Sequence, residues 1–311
     1  MNFIKVSAIN SGIDSARNNY IKNSEDNYLS QLMTASEKII SDREKRPLVL
    51  LSGPSGSGKT TSAMKIAGYI RSRGYNVHTL SMDNYFLPND MGELPVDENG
   101  NIDLESPYRL DIPLFSDHLK KLFRCEDIEI PIFDFASQLR KGSVPMRRND
   151  NEIIIIEGIH ALNPEVTGVT DDFTTCVYVS VRTRITGYDG SVLHPRNIRL
   201  MRRLCRDSLF RGRAYRDIFE MFESVSRGEE LYIMPYKTRA AFDIDTFLAY
   251  EVPVYAGFLG EKLRAQEKEL EDHPNYADIV RFIGEIHSLR SDMVPEDSLI
   301  REFIGGSSYS Y

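Results

Sequence analysis

Residues 48–61 read LVLLSGPSGSGKTT, and no other stretch restricts the fold as tightly. Four apolar residues in a row, without polar alternation, suit a strand buried on both faces. Three glycines follow, Gly53, Gly56 and Gly58, where backbone must turn or approach a partner closely. Beyond Lys59 the run TSAMKIAGYI places Ala63, Ile66, Ala67 and Ile70 at helical spacing. The order strand, glycine loop, helix matches Gly-x-x-x-x-Gly-Lys-Thr, the P-loop pattern that cradles a polyphosphate. The loop residues Gly53, Ser55, Gly56, Ser57 and Gly58, with Lys59, Thr60 and Thr61, are therefore expected to bind the phosphates of a nucleotide. Lys59 would reach the terminal phosphates, and the Thr60 hydroxyl would ligate a Mg²⁺ ion shared with them. The bland alternative is a glycine-rich strand-to-helix turn with no ligand, but the full Gly-x-x-x-x-Gly-Lys-Thr pattern between a strand and a helix seldom arises by chance.

The rest of the composition is permissive. The 311 residues are 41% hydrophobic and 27% charged, enough for one large domain or two smaller ones. No apolar run approaches the roughly 20 residues of a membrane helix, and the first residues lack the apolar centre of a signal peptide, so no membrane partner and a cytoplasmic location are expected. Three widely spaced cysteines suggest neither a disulfide framework nor a zinc site. The net charge of −8 argues against a general nucleic-acid binder. One segment opposes that balance: Arg196–Arg216 holds eight arginines and a single acid, Asp207. Such a segment suits a small anion better than a long polyanion.

Along the chain, residues 1–46 are expected to form a helical extension, with a helix near Asp26–Ser41. Residues 47–250 are expected to form a P-loop domain and 251–311 a C-terminal helical extension packed on it. Within the middle unit, a strand NVHTLSMD ends at Asp83, and a loop follows with turns at Asn89-Asp90 and Asn99-Gly100. A helix spans about Ile112 to Phe123. IEIPIFDF and SVPMRR flank a turn near Lys141-Gly142 as a hairpin insertion. NEIIIIEG, TTCVYVSV and AAFDIDTF read as further strands, a helical region runs from Pro195 to about Phe222, and C-terminal helices occupy about 254–271 and 276–290. Strands alternating with helices indicate an α/β fold with a parallel sheet and helices on both faces.

Two acids end apolar strands. Asp83, in SMDNYF, is placed to accept a proton from an attacking hydroxyl, although an isolated aspartate there is more commonly a loop cap. Glu157, ending NEIIIIEG, would hold the metal ion or its water. In HPRNIRLMRRLCRDSLFRGR, Ile198, Met201, Leu204 and Cys205 form an apolar stripe, with Arg199, Arg202, Arg203 and Arg206 mostly opposite. An arginine row is usually a solvated face, but the near absence of paired acids favours a lid that lays guanidiniums on a transferring phosphoryl group.

Taken together, GPSGSGKTT, SMDNYF, ESPYRLD, PIFDFASQLR, IIIIEGIHAL and RRLCRDSLFRGR resemble the phosphoribulokinase/uridine kinase family in order and approximate spacing. The later ESVSRGEELYIMPYKTRAAFDIDTFLAYEVPVY and VPEDSLIREFIGG are similar to bacterial uridine-kinase-like nucleoside kinases. The resemblance implies a P-loop NTPase fold with a hairpin insertion and an arginine-rich lid, using ATP and Mg²⁺. It implies transfer of the γ-phosphoryl group to the 5′-hydroxyl of a nucleoside, with Asp83 as base and Lys59, Arg206 and Arg211 as further catalytic groups. Glu105 falls where the family usually has an aspartate on the ribose hydroxyls. Phe133 stands where uridine kinases often have a tyrosine, and Phe135 at an aromatic that packs on the base. Gln138 replaces a histidine on the pyrimidine edge, and Met221 falls near a base-reading glutamine. Arg203 and Arg213 match substrate arginines. The acceptor pocket thus departs from the pyrimidine pattern while the phosphate machinery is intact. A sugar phosphate or other small alcohol remains an alternative acceptor, and a regulator without turnover an alternative role; a homo-oligomer is left open.

Overall fold

The computed structural model describes residues 2–89, 94–98, 100 and 102–310. In chain order the strands are β1 (Phe3–Lys5), β2 (Leu48–Ser52), β3 (Val77–Ser81), β4 (Ile128–Asp134), β5 (Leu139–Met146), β6 (Ile153–Glu157), β7 (Thr174–Ser180), β8 (Arg184–Thr186), β9 (Val192–Leu193) and β10 (Phe242–Asp245). The helices are α1 (Val6–Asp42), α2 (Lys59–Ser72), α3 (Ile112–Phe123), α4 (Pro164–Thr167), α5 (Pro195–Phe210), α6 (Tyr215–Tyr232), α7 (Glu251–Ala265), α8 (Glu267–Leu270), α9 (Tyr276–Glu285) and α10 (Arg301–Ile304).

A five-stranded sheet in the order β10-β7-β2-β6-β3, with every pair parallel, forms the centre. Its apolar strands need no polar alternation because both faces are covered. Val49, Leu51, Ile153, Ile155, Val177 and Val179 point into a core shared with α1, α2, α5 and α7. Their neighbours Leu48, Leu50, Ile154, Ile156, Cys176 and Tyr178 point the other way, into a core closed by α3. The α3 start is fixed by Asp111, whose Oδ1 accepts from the Leu114 N–H at 3.1 Å.

Several boundaries differ from the sequence expectation. The N-terminal helix spans Val6–Asp42 rather than Asp26–Ser41, kinks at Ala16, and follows a short strand, β1, that pairs with β8. Its polar composition hides a buried line of Ile9, Ile13, Ile21, Tyr28 and Leu32. The strand expected to end at Asp83 stops at Ser81, and Asp83 lies in a 3₁₀ turn over Met82–Tyr85. The hairpin turns at residues 135–138, not at Lys141-Gly142. Asp134 closes that turn by accepting from Ser137, and Gln138 takes the left-handed conformation at φ 57°. The arginine-bearing helix breaks after Phe210, where Gly212 at φ 61° reverses the chain, and α6 then continues past Phe222 to Tyr232. The C-terminal helices are shorter than expected. The turns expected at Asn89-Asp90 and Asn99-Gly100 lie partly outside the described residues.

Candidate active site

The ends of β2, β6 and β3 meet the glycine loop, as ligand sites do in open α/β sheets. Gly53 has no room for a side chain: a Cβ there would come within 2.0 Å of the Val179 carbonyl oxygen. Gly58 takes φ 84°, which turns the chain into α2 with Lys59 as its first residue. Register then gathers the acids. Glu157 stands opposite Leu51 of β2 and Ser81 of β3, and Asp83 follows two residues beyond Ser81. Ser81 holds the turn by accepting from the Asp83 N–H at 3.3 Å.

These groups line one cavity of about 980 Å³. Ser55, Gly56, Gly58, Lys59 and Thr60 form its loop wall, with Asp83 and Glu157 beside them. Glu105, Phe133, Phe135, Gln138 and Met221 form a second wall, and Arg203, Arg206, Arg211 and Arg213 a third. The cavity thus unites most of the residues singled out in the sequence. Gly53, Ser57 and Thr61 lie behind its surface: Gly53 backs onto β7, Ser57 is buried, and the Thr61 hydroxyl donates to Glu302 at 2.6 Å.

Charge is unevenly shared across this space. Burial raises the Glu157 carboxyl to about 7, opposed by Lys59 and assisted by Asp83. Burial likewise lifts Glu105 to about 7 against the pull of Arg203 and Lys59. Asp83 is pushed upward by the surrounding protein and drawn down by Lys59 and Arg211. Its carboxylate is open to cavity solvent, so the upward push is weaker than full enclosure would give. Opposite these acids, burial lowers Arg203 to about 10.

The arginines fall into two sets, which corrects the expectation of one row facing away from an apolar stripe. Arg199, Arg202 and Arg203 are all buried. Arg199 donates to the Ser55 carbonyl at 3.1 Å and pairs with Glu229. Arg202 is fully enclosed, forks onto Glu251 at 2.7 and 3.0 Å, and donates to the Gly56 carbonyl at 3.0 Å. Arg203 donates to the Ser55 hydroxyl at 2.6 Å. The first two of these side chains brace the glycine loop from behind. The second set gathers on buried Asp207: Arg206 at 2.8 Å, Arg211 at 3.4 Å, Arg213 at 3.7 Å, and Arg203 again at 3.6 Å. Burial works against the Asp207 carboxylate, yet these neighbours hold its pKa below the ordinary value. Acids are therefore not absent; Glu229 and Glu251 come from distant segments and Asp207 from the row itself.

The sequence reading missed three more groups. Arg109 is buried, lines the cavity, and donates to the Gln138 amide oxygen at 3.4 Å. His160 is buried between the Glu105 backbone and Tyr232, and that burial lowers it to about 4. Glu302, from the far end of the chain, also lines the cavity. Arg109 and His160 sit inside quoted motifs, ESPYRLD and IIIIEGIHAL, so their positions were visible although their roles were not. Glu302 likewise sits inside a quoted motif, VPEDSLIREFIGG, but nothing local marks it as a cavity residue.

A parallel sheet, a P-loop and strand-end acids facing an arginine cluster define a P-loop kinase. Residues 48–252 match the phosphoribulokinase/uridine kinase family, and the chain belongs to that family. It is 32% identical to a uridine kinase of Geobacillus kaustophilus over 184 residues, 59% of this chain and 78% of the relative. A uridine kinase of Staphylococcus aureus is 29% identical over 194 residues, 62% of this chain and 84% of the relative. Among solved structures, one described as a possible uridine kinase from Bacillus stearothermophilus aligns with a TM-score of 0.45 at 17% identity, covering 70% of this chain and 98% of the other. Among the described residues, no helix is long and apolar enough to cross a membrane.

Proposed function

We propose that this kinase transfers the γ-phosphoryl group of ATP to a hydroxyl of a small molecule, with the 5′-hydroxyl of a nucleoside as acceptor and little dependence on the base. The observation that carries the reading is the single cavity holding Lys59, Asp83, Glu157 and the Asp207-gathered arginines. The residues suit Mg²⁺–ATP: the loop presents a glycine cradle, the Ser57 hydroxyl is buried with no hydrogen-bond partner among the described residues, and Thr60 and Glu157 offer the hard oxygens magnesium takes. Bound there, Mg²⁺–ATP would supply the activated phosphoryl group. Asp83 would accept the acceptor's hydroxyl proton, Lys59 and the arginines would neutralise oxygens on which charge grows, and Glu105 would hold the acceptor's hydroxyls. Residues 1–46 and 251–311 serve in this reading as helical extensions supporting the kinase unit.

Weak base reading is supported by Gln138. Its amide oxygen accepts from Arg109 at 3.4 Å and its amide nitrogen donates to the Phe135 carbonyl at 2.8 Å, so the amide is held in one orientation with a single lone pair and a single N–H left for a base edge. Met221 offers only an adaptable apolar surface. We expect kcat/KM for uridine, cytidine, adenosine and guanosine to fall within about a hundredfold, the worth of one or two hydrogen bonds. A preference above about a thousandfold would refute relaxed choice, and activity on ribulose 5-phosphate alone would move the acceptor to sugar phosphates.

Arg206→Lys and Arg211→Lys are expected to lower turnover far more than ATP affinity. Lysine keeps the charge but loses the planar fork that matches phosphoryl oxygens. Equal loss of ATP binding with turnover retained would make these side chains simple anchors.

A further inference from the structure

The family match ends at residue 252, yet the chain returns to the cavity at Glu302, about fifty residues later. The segment Val294–Ile304 is firmly seated. Arg301 donates to the carbonyls of Ser291, Val294, Pro295 and Gly305, so its charge is spent on backbone. Asp297 pairs with Lys65 of α2 at 2.8 Å, and the Ser298 and Tyr250 hydroxyls are bonded at 2.9 Å. Leu299, Ile300 and Phe303 are buried, and the Arg202 guanidinium lies 5.2 Å from the Phe303 ring centroid.

This segment meets the glycine loop at two points. The Leu299 side chain fills the space beside Gly58, coming within 2.4 Å of where a Cβ would stand. One turn further on, the Glu302 carboxylate accepts from the Thr61 hydroxyl in the first turn of α2. Among the described residues Glu302 makes no ion pair: the Arg202 guanidinium feels its charge but is forked onto Glu251, and the Lys59 ammonium donates to the Pro54 carbonyl. The carboxylate also adds to the negative potential felt by Glu157. A P-loop's first helical turn is where phosphate oxygens are held, by its N–H groups and by the positive end of the helix. A fixed negative charge at that place opposes a polyphosphate.

We propose that the segment Val294–Ile304 is a wall of the phosphate-donor site, and that Glu302, seated on Thr61, competes with the donor's phosphates for the first turn of α2. The inference rests on the reading of the cavity as an ATP site. Binding then asks for a side-chain rotation: the Glu302 carboxylate turns away from the first turn of α2 and the donor's phosphates take its place, while the buried part of the segment stays where it is. Donor affinity is set in part by a residue outside the family's matched region.

The test is Glu302→Gln in the full chain, read by titration with Mg²⁺–ATP and with Mg²⁺–tripolyphosphate. The amide oxygen can still accept from Thr61, so the substitution removes charge and keeps the seat. Both ligands should bind about three- to tenfold more tightly, the scale of one partly screened charge contact, and the gap to wild type should narrow as salt is raised. Glu302→Lys should bind both more tightly still, which guards against an effect peculiar to the amide. Unchanged or weaker binding of both ligands would overturn the proposal. So would weaker binding of ATP with tripolyphosphate unaffected, since Glu302 would then be reading the nucleoside. Wild-type protein that binds neither ligand would remove the ATP site itself, a failure distinct from the other two.

Discussion

Asp83→Asn is expected to cut turnover by about 10²–10⁴-fold, the usual contribution of a positioned general base. ATP affinity should change far less, because the amide has nearly the same size. The position supports this role more strongly than the residue type does. Asp83 sits on a 3₁₀ turn just past β3, fixed by Ser81, and open to the cavity that Lys59 and Arg211 also face. A loop-capping aspartate would spend its carboxylate on backbone N–H groups, but among the described residues the Asp83 carboxylate makes no such bond. Steady-state rates with a working acceptor, paired with ATP titration, check the prediction. Turnover within a few-fold of wild type would sink the assignment.

What could be read from the sequence divides by distance along the chain. The P-loop, the apolar strands and the strand-end position of Glu157 depend on contiguous residues, and they emerged with few changes. The parallel sheet followed from strands alternating with helices. The hairpin was recognisable, but its turn was misplaced because Gly142 is a more obvious turn residue than Gln138. In the structure Asp134 and Gln138 make the turn, and Gly142 lies within β5. The arginine row misled for a different reason. Helical spacing gives the face on which a residue lies, but not whether a distant acid will cover that face. Arg202 finds Glu251 49 residues away, and Arg199 finds Glu229 30 residues away. Thr61 finds Glu302 at a separation of 241 residues. Only packing brings such pairs together, so a single sequence shows each half without its partner.

The Arg202–Glu251 pair leads to the second large expected effect. Both side chains are fully enclosed, and Glu251 additionally accepts from the Leu248 N–H at 3.0 Å. Glu251→Gln leaves an enclosed guanidinium without its counter-charge, which should cost about 3–5 kcal/mol. At roughly 2–4 °C per kcal/mol for a chain of this size, the melting temperature should fall by about 10 °C. A drop below about 2 °C would show that Arg202 is compensated elsewhere. The loss of stability alone would not show that the pair serves the site, so a second variant separates the two. Replacing both partners with apolar residues, as Arg202→Met with Glu251→Leu, removes both charges together and should recover part of the melting temperature, held back by the Thr246 carbonyl and Leu248 N–H that lose their partners. It cannot restore the donor to the Gly56 carbonyl, which Arg202 holds at 3.0 Å. ATP affinity should therefore remain below wild type in the double variant even where stability returns. If affinity recovered along with stability, the hydrogen bond to Gly56 would not shape the loop, and Arg202 would be a structural residue only.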